Sequence, residues 1–450
     1  MKKEVTIFII ILCAFAISCS KDNDSPVDLI TNEPTTDPIT SITITTNNFS
    51  DSIDENSANG TVLGSLTASA SDNSTISYML DNQSVSGAMA LSNSGELTIA
   101  DTAAFDYETN TQITANYTAS SGSVNETGTI TITINDIDVP FKVTVQPNAS
   151  NEIIIGGFAS LNGINYTYDF DIDWGDGSAI QTFTNMNTTR HTYVDANEYT
   201  ITISGDMPHI QLQNGQAVNI VQWGEIEWEL FHFSFFSNSD LQISATDTPN
   251  TSNVTTMQGM FEGCTSLNTG NFTNWNVSNV TNMGSLFRNC ESFNQDISSW
   301  DVGNVTDMFR MFENAKIFNQ DIGGWNVISA TNMSGMFSEA DTFNQDIGDW
   351  NVINVTSMLS MFLGSDAFNQ DIGNWDVSSV TITSSMFQST TMFNQDIGDW
   401  NVGNTVNMSR MFYEASAFNQ DLTDWDVDNV TNSFEFGLNS SLTTANFPNF

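Results

Sequence analysis

Basic residues are scarce in this chain. Its 450 residues include nine Lys and Arg against 53 Asp and Glu, which gives a formal net charge of −44. A nucleic-acid interface needs a basic surface that releases phosphate counterions, so the composition argues against nucleic-acid binding. It argues equally against an anionic membrane face, and it suits exposure to solvent with divalent cations nearby.

Histidine and cysteine are also scarce, with three and four residues. His191, His209 and His232 stand near no nucleophile and at no metal-ligand spacing. The cysteines beyond the amino-terminal region have no activating neighbourhood. A paired-carboxylate hydrolase stays open among so many acids, but no pair stands apart from the rest. The sequence therefore predicts that the protein is not an enzyme.

The amino terminus has the features of an export signal. Two lysines precede a nearly unbroken apolar run over residues 7–17, which is too short for an ordinary transmembrane helix. The run ends at the small residue Ser18, which directly precedes Cys19, and this pattern resembles a lipobox. We predict a signal peptide over residues 1–18 and a lipidated, disordered tether over residues 19–40. The alternative is an ordinary signal peptide with a chance cysteine.

The residues after the cysteine point to a cellular address. Residues 20–24 read Ser-Lys-Asp-Asn-Asp, which resembles the acidic export tag of surface-displayed lipoproteins in some Gram-negative bacteria. The resemblance implies a surface-exposed lipoprotein of the cell outer membrane that touches the membrane through its lipid anchor only. A chain of this length should hold about three domains.

A 25-residue unit fills the carboxyl-terminal half. Trp residues recur at that interval at 275, 300, 325, 350, 375, 400 and 425, and Phe-Asn-Gln-Asp begins at 293, 318, 343, 368, 393 and 418. The pair Met-Phe recurs from residue 311 to residue 412 with the same period. A fixed period of this length predicts a solenoid in which each unit buries its apolar side against its neighbours.

The pattern within one unit changes period. Trp300 and Val302 alternate with a polar residue, which predicts a short strand. Apolar residues then follow at spacings of three and four, which predicts one face of a short helix with Thr306 as its N-cap. The apolar residues of this predicted helix are Met308, Met311, Phe312 and Ala315. Residues 318–322 return to an extended pattern before a glycine turn.

The unit resembles the BspA-like leucine-rich-repeat surface-protein repeat, marked by Met-Phe, Phe-Asn-x-Asp-Ile and Trp-x-Val-Ser-Asn-Val-Thr-Asn-Met. The resemblance covers about residues 225–450 and implies a leucine-rich-repeat-like parallel solenoid used for adhesion or host-surface binding. Residues 207–253 are interpreted as a cap with one worn unit, in which Phe236 aligns with Phe261. Clean repeats with a carboxyl-terminal cap then occupy residues 254–450.

Residues 41–140 contain short β-type segments separated by Asn, Asp, Ser and Gly, which predicts a sandwich. Asp-Glu-Asn at 54–56, Phe-Asp-Tyr-Glu at 105–108 and Asn-Asp-Ile-Asp at 135–138 resemble the marks of a cadherin repeat. The resemblance implies calcium, a hard cation that prefers oxygen ligands, held by acids at a domain junction. The implied metal ligands are Glu55, Asp106, Glu108, Asp136 and Asp138. Val139 stands where a further acid is usual, and the alternative is a sandwich with solvated acids.

Residues 141–206 predict a second sandwich. Trp-Gly-Asp-Gly-Ser at 174–178, His-Thr-Tyr at 191–193 and Tyr-Thr-Ile-Thr-Ile at 199–203 resemble a PKD-type immunoglobulin-like repeat. Asp169, Asp171 and Asp173 alternate with apolar residues, so a strand would place all three carboxylates on one face. An EF-hand loop is rejected because Trp174 and Ile180 stand where that loop needs Gly and Glu.

Two cysteines fall in the same slot of adjacent units. Cys264 and Cys290 lie three residues after Phe261 and Phe287. They form either a disulfide across the stack or two buried thiols that fill small core positions. The sequence leaves both alternatives open.

Two columns of side chains follow from the repeat. Asp296, Asp321, Asp346, Asp371, Asp396 and Asp421 would stack one per unit. Unit charges about 5 Å apart repel by roughly 0.8 kcal/mol in bulk water, so the column needs backbone N–H donors, a neighbouring Asn ladder or bound cations. The Trp column is either an exposed carbohydrate platform or core.

The predicted fold is mainly β with short helices, as two β-sandwich domains followed by a leucine-rich-repeat-like parallel solenoid. The predicted function is that of a surface lipoprotein acting as an adhesin or binding scaffold, with a calcium-binding stalk. Its partner would be a cell-surface or matrix protein or a glycan. The alternatives are glycan capture for nutrient uptake, which requires exposed Trp residues, and a structural role in the envelope.

Overall fold

The computed structural model describes residues 41–450 except 108, 162, 186 and 187. The predicted signal peptide, the lipidation site Cys19 and the tether lie outside the described residues, as does Glu108. The chain divides into two compact units, Met1–Asp136 and Ile137–Phe450. Each is built mainly from β-structure and turns, which confirms the mainly β prediction.

The first unit contains short strands in three sheets. The strands are β1 (Ile44–Thr46), β2 (Phe49–Asp54), β3 (Val62–Ser65), β4 (Ala68–Ala70), β5 (Ser77–Gln83), β6 (Met89–Leu91), β7 (Glu96–Ile99), β8 (Gln112–Ser121) and β9 (Val124–Asn135). A four-stranded sheet has the order β2-β9-β8-β5, a three-stranded sheet the order β3-β7-β6, and β1 pairs with β4. The 3-10 turn Thr102–Ala104 is the only helical segment in the described part of the chain.

Alternation along β8 and β9 builds the core of this unit. Ile113, Tyr117 and Ala119 point inward from β8, and Ile130 and Ile132 do so from β9. They pack with buried residues of the three-stranded sheet in one cluster. Successive side chains of a strand point to opposite faces, so this pattern leaves the polar residues between them on the outer face.

The second unit begins with a larger sheet. Its strands are β10 (Phe141–Val145), β11 (Glu152–Ile155), β12 (Ser160–Leu161), β13 (Ile164–Asn165), β14 (Asp169–Asp173), β15 (Gln181–Phe183), β16 (Thr189–Thr192), β17 (Tyr199–Asp206), β18 (Ala217–Gln222) and β19 (Gln242–Ile243). A six-stranded sheet has the order β15-β14-β17-β10-β18-β19. The sequence boundary drawn after residue 206 therefore falls inside one sheet, because β18 pairs with β10.

The PKD-like residues clamp the turn after β14. The Trp174 indole is buried, and the His191 ring stacks on it at 4.6 Å. His191 Nε2 lies 2.8 Å from Asp176 Oδ2, and the Tyr193 hydroxyl donates to the Trp174 carbonyl oxygen at 2.9 Å. Hydrogen bonds from Ser178, with a further contribution from His191, lower the pKa of Asp176 to about 2. These contacts give the motif a packing role.

Residues 231–447 form a stack of successive repeat units, here called the repeat stack. Each unit pairs with the next through a single parallel bridge, one per unit, at residues 256, 282, 307, 332, 357, 382, 407 and 432. Backbone hydrogen bonds join the same neighbours, such as Phe312 N–H to the Met336 carbonyl oxygen at 2.9 Å. Most of the backbone between the bridges lies in turns.

The predicted short helices are wrong. The N–H groups of Met308, Arg310 and Phe312 donate to the next unit, whereas that of Met311 donates back three residues. Alternate donors thus leave the unit, and no helical ladder forms. Consecutive turns replace it, with Arg310 and Asn314 at φ of +53° and +58°. Apolar spacings of three and four fit such turns as well as a helix, which is why the sequence misled.

Thr306 is likewise not an N-cap. Its Oγ1 donates to the Thr281 carbonyl oxygen of the preceding unit at 3.1 Å, and its own backbone N–H donates to the same oxygen at 2.8 Å. Equivalent threonines, among them Thr331 and Thr356, repeat this contact. The threonine column therefore joins units rather than starting helices.

The Trp column lies in the core of the repeat stack. Trp350 is 3% exposed, and its Nε1 donates to the Ile322 carbonyl oxygen at 3.1 Å. Its ring stacks between those of Trp325 and Trp375 at centroid distances of 6.5 and 6.4 Å. These indoles are buried and donate their N–H groups to backbone carbonyl oxygens, so they cannot serve as an exposed carbohydrate platform.

The Asp and Asn columns are held by hydrogen bonds. Each Asp of the column accepts the backbone N–H two residues ahead, as Asp321 Oδ1 does from Gly323 at 3.1 Å. Beside it, the Asn319 backbone N–H donates to Asn294 Oδ1 at 2.9 Å, and this contact also recurs from unit to unit. The sequence left three alternatives open for the Asp column. The structure shows the first of them, in which backbone N–H groups donate to the carboxylates.

The first units show two departures from the sequence analysis. Phe235, and not Phe236, stacks on Phe261, with centroids 5.9 Å apart, so the worn unit aligns one residue earlier than predicted. The stacked residues Phe235 and Phe261 are 26 residues apart, one more than the 25-residue period of the clean repeats. The unit containing Phe261 carries the same extra residue, between Leu267 and Phe272, where Gly270 has a φ of +107°.

Cys264 and Cys290 are free and buried thiols, so the structure contradicts the disulfide alternative. Cys264 Sγ donates to the Phe235 carbonyl oxygen at 3.2 Å, and Cys290 Sγ donates to that of Phe261 at 3.0 Å. Burial raises the pKa of Cys264 to about 12 and raises that of Cys290 as well. Each thiol thus fills a core position and satisfies a carbonyl group of the preceding unit.

Candidate functional site

Three of the acidic residues that the cadherin resemblance implicates, Glu55, Asp106 and Asp136, lie in the first unit. The Glu55 side chain is 5% exposed, and its Oε2 accepts the Tyr107 backbone N–H at 3.0 Å. The Glu55 backbone N–H donates to the Asn135 carbonyl oxygen at 3.1 Å. Asp106 and Asp136 are the chain neighbours of these partners, so three separate segments that carry predicted ligands meet here.

Their carboxylates do not converge in this structure. Asp106 directs its two oxygens to the backbone N–H and the hydroxyl of Thr109, at 3.1 and 3.2 Å. Asp138 belongs to the second unit, where it lines a cavity with Asp206 and Glu225. Within the described ranges, no group of three Asp, Glu, His or Cys residues is placed to hold a metal ion. The described side chains therefore do not form a calcium site in this arrangement.

The histidines occupy packing positions. His191 belongs to the clamp of the second unit, and His209 is fully buried with its ring stacked on Phe158 at 5.1 Å. His209 Nε2 lies 3.0 Å from the His232 carbonyl oxygen. Burial lowers the pKa of His209 to about 3, so the ring is neutral at neutral pH.

One surface of the repeat stack differs from the packing columns, because its residues change from unit to unit. It consists of the two residues that follow the first Met position of each unit and the two that follow the Phe of Met-Phe. We call this surface the turn face. It comprises residues 258–259, 262–263, 284–285, 288–289, 309–310, 313–314, 334–335, 338–339, 359–360, 363–364, 384–385, 388–389, 409–410, 413–414, 434–435 and 438–439.

The turn face concentrates the unusual chemistry of the stack. Of the four cationic residues between 231 and 447, Arg288, Arg310 and Arg410 lie on it, and Lys316 lies outside it. Its other side chains range from Gly and Ser to Glu, Leu, Tyr and Phe, while the Trp, Phe, Asn and Asp columns barely change. A repeat that keeps its packing columns and varies its surface residues can present a recognition surface.

The Arg288 guanidinium pairs with glutamates of the two neighbouring units. Its Nη1 lies 2.8 Å from Glu262 Oε1 in the preceding unit, and its Nε lies 3.3 Å from Glu313 Oε2 in the following one. The arginine side chain is 29% exposed. This guanidinium thus bridges three units and has a structural role.

Arg310 and Arg410 are arranged differently. The Arg310 guanidinium lies over the Phe309 ring at 4.8 Å, and its Nε pairs with Glu313 Oε2 at 3.1 Å. The Arg410 guanidinium lies 5.6 Å from the rings of both Tyr413 and Phe434, and its Nε pairs with Glu435 Oε2 at 2.7 Å.

In both arginines the Nη nitrogens have no partner among the described residues. The Arg310 and Arg410 side chains are 41% and 48% exposed, so these nitrogens are accessible. An arginine presents its Nη donors in a planar fork that matches a carboxylate or phosphate. Each guanidinium is therefore fixed in place and still able to bind an anionic group.

A shallow groove of about 250 Å³ runs beside Arg310 along the turn face. Ser334, Gly335, Leu359 and Leu363 contribute to its lining, together with Phe309 and Glu313. Ligand pockets for small molecules enclose roughly 300–1,000 Å³ and bury most of the ligand. An open groove of this size suits a side chain of a larger partner better than an isolated small molecule.

The turn face was not predicted from the sequence, because its residues were assigned to helices and because it contains no recurring motif. The signal that would have found it is the variation itself. In otherwise matching units, the residue after the first Met position is Gly, Phe, Ser, Leu or Ser, as at 284, 309, 334, 359 and 409. At this position Leu359 is exposed and Phe309 and Ser409 are half-buried, whereas Gly284 and Ser334 are buried.

None of the helical segments in the described residues has the length and apolar character required to cross a bilayer.

Comparison with protein families gives one match. The family described as "Mycoplasma protein of unknown function, DUF285" matches residues 231–350 and 331–447, which together are just under half of the chain. The matched residues coincide with the repeat stack. The BspA-like and PKD-like resemblances stay resemblances. Among curated proteins, none matches the chain.

Comparison with solved structures finds cadherin domains. The chain is similar to human protocadherin-24 EC1-2 with 22% identity over 21% of this chain and 45% of that chain, at a TM-score of 0.19. It is similar to the human desmocollin-1 ectodomain with 17% identity over 30% of each chain, at a TM-score of 0.21. For mouse cadherin-23 EC22-24 the identity is 19% over 35% of this chain and 51% of that one, at 0.21. Scores this low carry no argument about this chain.

Proposed function

We propose that the chain is a cell-surface adhesin or binding scaffold whose repeat stack presents the turn face to a macromolecular partner. The partner is a cell-surface or matrix protein. In this proposal the chain is a surface-exposed lipoprotein of the outer membrane, attached through Cys19, and it has no catalytic activity. The repeat stack is a solenoid of the leucine-rich-repeat class.

The observation that carries the proposal is the clustering of arginine, aromatic and leucine side chains on the turn face. The Trp, Phe, Asn, Asp and Thr columns are occupied by packing or by hydrogen bonds between units, so their sameness follows from the stack. The turn face varies from unit to unit, and it holds Arg310, Arg410, Phe434 and Leu359 at positions open to solvent. Exposed aromatic and arginine side chains on one strip are typical of protein-binding surfaces.

Glycan capture by the Trp column has no support in this geometry. The Trp residues of the column are at most 5% exposed. A sugar-binding platform needs an open aromatic face, so the alternative that depended on exposed Trp residues is set aside.

Charge on the turn face should abolish cell binding. The test compares the double variant Leu359→Asp with Leu363→Asp against the double variant Ile328→Asp with Ile353→Asp. Leu359 is 39% exposed on the turn face, and Ile328 and Ile353 are 39% and 41% exposed in the loop after the Trp column. The matched pair therefore adds the same charge to two different surfaces of one stack.

The probe is the fluorescently labelled chain over residues 20–450, incubated with intact bacterial and epithelial cells and measured by flow cytometry. We expect the turn-face variant to lose binding at least tenfold and the control variant to bind as the parent does. Trypsin treatment of the cells should remove binding if the partner is a protein. Equal binding by both variants, or equal loss in both, contradicts the proposal.

We further propose that calcium stiffens the first unit, with Glu55, Asp106, Glu108 and Asp136 as ligands. The support is the meeting of three ligand-bearing segments at Glu55. Their carboxylates are hard oxygen donors of the kind that calcium prefers. Convergence of the acids is what the metal would have to bring about.

Removing calcium should lower the first thermal transition and leave that of the repeat stack unmoved. A ligand at 100 times its dissociation constant stabilises a fold by about 2.7 kcal/mol, which corresponds to roughly 10 °C or more for a unit of this size. The variant Asp106→Asn should lose the sensitivity to chelator, while Glu126→Gln on the exposed face of β9 should keep it. The absence of any shift in the parent protein withdraws the calcium proposal.

A further inference from the structure

Two arginine sites on the turn face contain the same kinds of partner, although the glutamate comes from the same unit at Arg310 and from the following unit at Arg410. Arg310 and Arg410 occupy the same position of their units, two residues after the first Met. Each stacks on an aromatic ring and gives its Nε to a glutamate, and each keeps its Nη nitrogens available. Because a planar guanidinium binds a carboxylate through two parallel hydrogen bonds, each site is specific for an anionic group of that shape.

The stack fixes the distance between the two sites. They are four units apart, and parallel ladders place neighbouring chains about 4.8 Å apart, so the guanidinium positions are separated by about 19 Å along the stack. An extended chain rises about 3.3 Å per residue. A peptide that runs along the turn face would therefore meet both arginines with acidic residues about six positions apart.

The strip between the arginines suits a peptide backbone with apolar side chains. The three intervening residues in the arginine column are Gly335, Ser360 and Ser385, which are small. Leu359 and Leu363 lie beside them, and the groove of about 250 Å³ opens next to Arg310. Small residues leave room for a backbone to approach, while the leucines offer an apolar contact midway between the two charges.

We propose that the turn face binds an extended peptide segment of a partner protein that carries two carboxylate side chains about six residues apart with leucine-like residues between them. This inference rests on the proposed function and names its ligand class. Salt at about 0.15 M screens charges beyond roughly 8 Å, so the distant acids of this chain act only weakly on a carboxylate bound to the Nη nitrogens of either arginine.

A sulfated glycan fits the same surface less well. The turn face carries five glutamates, at 262, 313, 339, 414 and 435, which would repel a polymer with an anionic group on each sugar. Two discrete arginine forks match two discrete carboxylates better than they match a continuous polyanion. A second copy of this chain would face Arg310 with Arg410 if the stacks ran antiparallel in register, which is unfavourable.

The test uses fluorescein-labelled Glu-Ser-Leu-Ser-Leu-Ser-Glu, whose acids and leucines share one face of an extended chain. Its controls are Lys-Ser-Leu-Ser-Leu-Ser-Lys and the respaced Glu-Glu-Ser-Leu-Ser-Leu-Ser. Fluorescence anisotropy with the chain over residues 20–450 should give at least tenfold tighter binding of the first peptide than of either control. Arg310→Gln and Arg410→Gln should each weaken its binding about tenfold, as loss of a charged hydrogen bond does.

Lys316→Gln serves as the matched protein control, since it removes a cation outside the turn face and should leave the affinity unchanged. Thermal melts of all three variants verify that they fold. Equal binding of the lysine peptide, or unchanged affinity in both arginine variants, overturns the peptide proposal. If the leucine variants abolish cell binding while no peptide binds, the peptide proposal falls and the proposed function stands.

Discussion

Replacing Trp350 by alanine is expected to destabilise the repeat stack by about 3–5 kcal/mol, as large-to-small changes of a buried aromatic residue do. The indole is 3% exposed and stacks between two other indoles of the column. It also contacts the Phe337 ring at 6.2 Å. Truncation would open a cavity bordered by three units, and the Ile322 carbonyl oxygen would keep only one of its two donors, the Trp325 backbone N–H.

Two further variants separate these contributions. Trp350→Phe keeps an aromatic ring in the column and removes the N–H donor, so its cost should be smaller, about 0.5–1.5 kcal/mol for the lost hydrogen bond. Asp349→Ala changes the preceding, exposed residue and should stay within about 0.5 kcal/mol. Urea unfolding followed by Trp fluorescence measures all three. A Trp350→Ala variant as stable as Asp349→Ala would show that the column does not carry the stack.

The packing columns could be predicted from the sequence because each column has one chemistry. Trp300, Phe318 and Val302 recur with their neighbours at a fixed period, and only a stack of units buries all of them. The local backbone could not be predicted in the same way. Helix or turn depends on where each N–H group finds its acceptor, and for Met308, Arg310 and Phe312 the acceptor belongs to the next unit.

A local clue to the turns was present in the glycines. Gly259, Gly263, Gly335 and Gly364 all occupy turn-face positions with positive φ. A helix interior disfavours glycine, whereas a left-handed turn position favours it. Serine, asparagine, glutamate and arginine at the equivalent positions of other units hid this signal, because such residues adopt positive φ less readily.

The candidate site was less predictable than the fold. The cadherin-like marks drew attention to Glu55 and Asp106, and the structure brings their segments together without a converged metal site. The turn face carries no recognisable motif. Arg310 and Arg410 are isolated in the sequence, 100 residues apart, and only the stacking of units shows that they share one strip.

Deletion of one complete unit should leave the protein folded, whereas a deletion longer by one residue should not. Removal of residues 326–350 joins Trp325 to Asn351 and restores the order Trp-Asn-Val-Ile of an intact unit. Every column then continues without a gap, since each unit contacts only its neighbours and the new neighbours match the old ones. We expect the far-UV and near-UV circular dichroism per residue to stay as in the parent, with a modestly lower melting temperature.

Removal of residues 326–351 instead joins Trp325 directly to Val352. Both side chains are buried, and in an intact unit one outward residue separates them, so adjacent residues of an extended segment cannot both point inward. The extra residue near Gly270 shows that the stack absorbs a length change at a turn with positive φ, but no such turn lies between Trp325 and Val352. We expect loss of the near-UV Trp signal and of the cooperative transition. Equal melting of the two deletions would mean that the register of the columns is not what holds the units together.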